Sequence, residues 1–168
     1  MKTLLSFSST LLLIMILFSC EARKAAFTKI DTANPLSNRF TVKSDLNKDI
    51  SGGEIINRIG RDAGLEKNQK LSDIRLRKLT QSEKNEKDAD RPIYVLQAKT
   101  TNGISIAHIF STNGDETALI SEGKTCKCTS TQCAHGCNAE IFGGNCSCSH
   151  CSAECKKEST VTDEPEGP

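Results

Sequence analysis

The sequence has no tryptophan, one tyrosine and six phenylalanines in 168 residues. A single-strand nucleic-acid binder stacks bases on aromatic side chains, and this chain lacks such platforms. An excess of charge is missing too: 22 Lys and Arg stand against 21 Asp and Glu, a net charge of +1. No strong field therefore points to nucleic acid as a partner. There is no phosphate-cradling glycine loop, no HExxH helix and no Ser-His-Asp order, which removes the commonest signatures of an enzyme. The Asp and Glu residues are scattered among lysines and read as solvated surface. These absences leave a binding protein rather than a catalyst.

What is present begins at the N-terminus. Lys2 is followed by an apolar stretch, LLSFSSTLLLIMILFS, and then by the charged EARK. This is the pattern of a secretory signal over residues 1–19. The junction LFSC resembles a bacterial lipobox: Leu17 and Ser19 stand where that family has its leucine and its small residue before the cysteine. The resemblance implies that Cys20 becomes the lipidated N-terminus of an exported cell-envelope protein, facing the periplasm or the surface. Each buried methylene contributes roughly 0.8 kcal/mol, so several acyl chains give lasting membrane attachment.

About 148 residues follow Cys20, enough for one small domain with appendages. Residues 20–45 are polar, contain Pro35 and show no sustained period, and read as a tether. In DISGGEIINRIGRDAGL, Ile55, Ile56, Ile59 and Ala63 recur at helical spacing, with Ser51 or Asp49 as cap and Gly64 as stop. SDIRLRKLTQ reads as a strand and SEKNEKDADR as a charged loop. PIYVLQAK and ISIAHIF read as strands joined by Asn102-Gly103, a strong hairpin signal, and a second Asn-Gly, at 113–114, precedes the short strand TALI. Residues 46–122 are thus expected to form a small α+β domain, one helix and an antiparallel meander of three or four strands. His108 on such a strand reads as a half-buried or surface residue. The element order resembles small cystatin-like or PepSY-like envelope domains, which implies binding or inhibition.

The densest feature lies in residues 123–156. Eight of the nine cysteines fall between Cys126 and Cys155, in CKCTSTQCAHGC and CSCSHCSAEC. Each half is C-x-C, a gap, then C-x-x-x-C: Cys126, Cys128, Cys133, Cys137, then Cys146, Cys148, Cys151, Cys155. A histidine, His135 or His150, sits near the second pair each time. The only large apolar residues in this span are Ile141 and Phe142, and burying each contributes about 1.5–3 kcal/mol. Ordering some thirty backbones costs on the order of 30 kcal/mol. Cross-links must hold the segment.

Two chemistries supply them. Soft-metal thiolates would place copper(I) or zinc on two groups of four cysteines, with His135 and His150 as additional ligands, and the density of cysteine resembles metallothioneins. Disulfides are favoured by export. The order C-x-x-x-C…C-x-C at Cys133, Cys137, Cys146 and Cys148 resembles the cysteine-stabilised αβ motif of defensins, which implies a stapled surface for a protein partner. The run CSHC, Cys148 to Cys151, resembles the C-x-x-C of thiol–disulfide oxidoreductases, a third and lesser reading. An irregular cysteine module and a disordered tail over residues 157–168 complete the expected organisation.

Overall fold

The computed structural model describes residues 29–43, 48–130, 132–133, 136–149 and 155–161. The signal segment, Cys20, His135, His150 and Cys151 lie outside them. In chain order the elements are β1 (Phe40–Val42), β2 (Asp49–Ile50), α1 (Gly52–Asp62), β3 (Leu71–Lys78), β4 (Tyr94–Thr100), β5 (Ser105–Thr112), β6 (Leu119–Thr129), β7 (Asn138–Phe142), β8 (Asn145–Ser149) and β9 (Lys156–Val161).

The fold departs from the small α+β meander expected. It is mostly β, a mixed sheet curled into a half-barrel, and among the described residues much of the cysteine region and the start of the tail are strands rather than irregular chain or disorder. The sheet runs β2-β1-β6-β5-β4-β3, with β9 also paired to β6. β6 explains the difference. It starts at the expected TALI strand and continues through the first C-x-C. Its first half pairs in parallel with β1, Phe40 opposite Leu119. Its second half pairs antiparallel with β9, from Lys124–Val161 to Thr129–Lys156. FTV is too short to show a period, yet Phe40 is fully buried. KKESTV has no apolar alternation at all, and its place is set by backbone pairing to β6.

The helix forms where its pattern places it. The Ser51 hydroxyl accepts from the Glu54 amide at 3.2 Å, filling one of the free donors of the first turn. Ile55 and Ile59, one turn apart, are buried. Gly52 is required by close approach: a Cβ there would lie 2.5 Å from the Leu36 carbonyl oxygen.

β4 and β5 are buried on both faces. Tyr94, Leu96, Ala98, Ile106 and Phe110 join Phe40, Leu119 and the helix isoleucines in one cluster. Val95, Ala107 and Ile109 belong to a second cluster with Cys126, Cys128, Cys137, Ala139 and Ile141. The helix covers one side of the sheet and the β7–β8 hairpin the other. His108 lies inside the first layer rather than at the surface. It is 1% exposed, its Nδ1 is 2.8 Å from Thr125 Oγ1 and its Nε2 is 2.8 Å from Ser121 Oγ. Burial pushes its pKa down to about 4, so at neutral pH the ring is uncharged, one nitrogen accepting and the other donating.

Candidate functional site: a disulfide-stapled hairpin

Alternation along a strand puts residues two apart on one face. Cys126 and Cys128 therefore point together from β6 towards the hairpin, and Cys146 and Cys148 point together from β8. Cys126 bonds Cys146 and Cys128 bonds Cys148. The Cα atoms are 5.3 Å and 5.8 Å apart, within the usual reach of a disulfide. The two facing strands run the same way, and the bonds are successive rungs between layers. Cys126 and Cys128 are buried, flanked by β5 and β9.

A third bond ties Cys137, where the chain enters β7, to Cys155, just before β9, with Cα atoms 6.1 Å apart. The internal repeat is thus visible as a pairing rule: the first, second and fourth cysteines of one half join the first, second and fourth of the other. Cys133 is also disulfide-bonded, with its partner outside the described residues. Its Sγ, with those of Cys137 and Cys155, forms a group whose members all lie within 4.8 Å of one another. Disulfide sulfurs carry no thiolate, the form that ligates metals.

Among the other candidate residues, Cys148 of the CSHC run bonds Cys128, and the C-x-C of β8 joins the C-x-C of β6 rather than Cys133 and Cys137. Cys20, Cys151, His135 and His150 fall on undescribed positions.

Contacts that the sequence did not signal complete the attachment. The Ala139 amide donates to Ser105 Oγ at 3.0 Å, and Gln97 Nε2 donates to the Ala139 carbonyl at 2.9 Å. These bonds satisfy polar backbone that the covering hairpin would otherwise bury unpaired. Gly136, at φ +67°, lies against the Gly103 turn so closely that a Cβ would be 2.2 Å from the Gly103 oxygen. On the outer edge, Lys127 of β6 pairs with Glu158 of β9 at 2.5 Å. Lys127 and Lys156, hydrogen-bonded to Glu158, hold its carboxyl down to about 2.

The hairpin leaves two features open to solvent. Phe142 at its tip is 64% exposed. Beside β7 lies a polar groove of about 380 Å³, walled by Asp73, Arg75, Gln97, Lys99, Asn138 and Glu140 among others. The disulfide-bonded state belongs to an oxidising compartment, outside the cytosol. No helix among the described residues is long and apolar enough to cross a membrane. Comparison with protein-family models, with curated proteins and with solved structures finds no match.

Proposed function

We propose that this chain is an exported, non-catalytic envelope protein whose stapled hairpin presents a surface to a protein partner, held at the membrane by lipid on Cys20. The observation that carries the reading is the pair of stacked rungs, Cys126–Cys146 and Cys128–Cys148, which fix a hairpin of little apolar content against a buried sheet. A rigid surface loses less conformational entropy on binding than a loose one. Such a hairpin therefore suits recognition, with the exposed Phe142 and the adjoining polar groove as its contact face.

The test is the intact mass of the purified mature protein, sprayed natively and then denatured without reductant. The reading predicts a denatured mass lighter by one hydrogen for each of the eight cysteines, and a fold indifferent to chelator but lost in reductant. Full thiol mass, with extra native mass matching discrete ions, would make the region a copper(I) or zinc thiolate store instead. The same spectrum reports acyl chains on Cys20 or their absence.

A further inference from the structure

The Cys133, Cys137 and Cys155 sulfurs form a group of their own, and the backbone around them is placed by more than their own bonds. The Cys133 amide donates to Ser130 Oγ at 3.2 Å, and the Gly136 amide donates to the Cys133 carbonyl at 3.0 Å. Gly136 itself lies against Gly103. Cys155 directly precedes Lys156, whose pairing with Thr129 begins the β6–β9 ladder. Breaking the S–S bonds would leave these restraints in place. Sulfurs about 2.3 Å from a shared ion lie about 4 Å from each other, and these three are within 4.8 Å of one another already.

We propose that this cluster is a redox-gated site for a thiophilic metal ion: closed as disulfides, and a three-thiolate ligand set once its bridges are opened by a dithiol. The inference rests on the stapled reading above, since the rungs Cys126–Cys146 and Cys128–Cys148 must keep the hairpin seated. A reductant thiolate attacks Cys155, the half-buried member of its pair, while Cys137 is 1% exposed. A mixed disulfide forms and the Cys137 thiolate leaves. The second thiol of the reductant then closes its own disulfide and releases Cys155. Two electrons and two protons reach the protein for each bridge opened, so freeing Cys133 consumes a second dithiol and releases the thiol of the cysteine bonded to it as well. Metal binding returns one proton to solvent for each metal–sulfur bond formed. Thiolates select soft ions such as copper(I).

The test uses the full mature chain, a stepwise dithiol titration and copper(I) as the probe. Native mass counts bound copper, and alkylation followed by peptide mapping locates free and shielded thiols. The oxidised chain is expected to take up none. The chain opened at two bridges is expected to take one copper per chain, with Cys133, Cys137 and Cys155 shielded from alkylation and the rungs intact. Replacing Cys137 and Cys155 by serine together (Cys137→Ser, Cys155→Ser) should abolish uptake; if that variant does not fold, the alkylation map of the unaltered chain decides. No copper after two bridges open, shielding of other cysteines, or rungs that open first would overturn the site. A purified chain with no disulfides would instead defeat the stapled reading beneath it.

Discussion

On one face of the sheet, Ile55 and Ile59 of α1 meet Phe40, Leu96, Ile106 and Phe110. On the other, Ala139 and Ile141 of the hairpin meet Val95, Ala107 and Ile109, and the disulfides Cys126–Cys146, Cys128–Cys148 and Cys137–Cys155 add to the attachment. Each large side chain buried on the helix face contributes about 1.5–3 kcal/mol. The hairpin brings only Ile141 in that class. A bond closing a loop of some twenty residues contributes about 3 kcal/mol by restricting the unfolded chain. The bridges close loops of 20, 20 and 18 residues. The comparison teaches that cross-links can stand in for apolar area where a covering layer is small and polar. It also teaches that the two layers answer to different reagents, since solvent conditions act on burial and redox potential acts on the staples.

The faces can be broken separately. Phe110→Ala removes a fully buried ring from the helix face and should destabilise by about 4 kcal/mol. Urea unfolding should show the loss with and without reductant. Replacing Cys126, Cys128, Cys146 and Cys148 by alanine removes both rungs and should destabilise the oxidised protein by about 3 kcal/mol. The same change should have little effect in excess dithiol, where the parent has no rungs to lose. Removing one rung alone should have a smaller effect, because its neighbour keeps nearly the same loop closed.

The helix face also holds the pH dependence. His108 has a folded pKa of about 4 against an ordinary 6.5. The unfolded state therefore binds the proton first as pH falls. Stability should be fully present above pH 6.5, fall through the window down to about pH 4, and lose about 3 kcal/mol in all. Glu83, Glu116, Glu122 and Glu158 have folded pKa values below 4.5, so their contribution is lost only at lower pH. Urea midpoints between pH 7 and 5 should fall for the parent and stay level for His108→Gln. The last effect concerns the seat of the hairpin on the Gly103 turn. Gly136→Ala meets a left-handed backbone, which costs about 1–2 kcal/mol, and also the Gly103 oxygen, so it should lower the melting temperature by more than the backbone cost alone.

Much of the helix face was legible. The spacing of Ile55 and Ile59, the cap at Ser51 and the two Asn-Gly turns are local signals, and each falls where the elements form. His108 alternates with Ile106 on one face, but a lone histidine on a strand reads as half-buried or surface, and its full burial went unseen. The short parallel strand β1 and the polar strand β9 had no local signal, because their positions come from pairing with β6. The cysteine spacing was legible as cross-linking. The repeat, read as two similar groups of four, held the pairing order, but that order emerges only when β6 and β8 face each other in the same direction. Ser105 and Gln97, which satisfy Ala139, lie more than thirty residues away in the chain and carried no mark.

Disulfide bonds, more than packing, hold the hairpin to the sheet. Amide hydrogen exchange before and after complete reduction tests this most directly. Amides of Asn138–Phe142 and Asn145–Ser149 are expected to lose protection on reduction while those of β4 and β5, closed on the other side by α1, keep theirs. Hairpin amides that stay protected in the reduced chain, or protection lost together across the whole sheet, would contradict it.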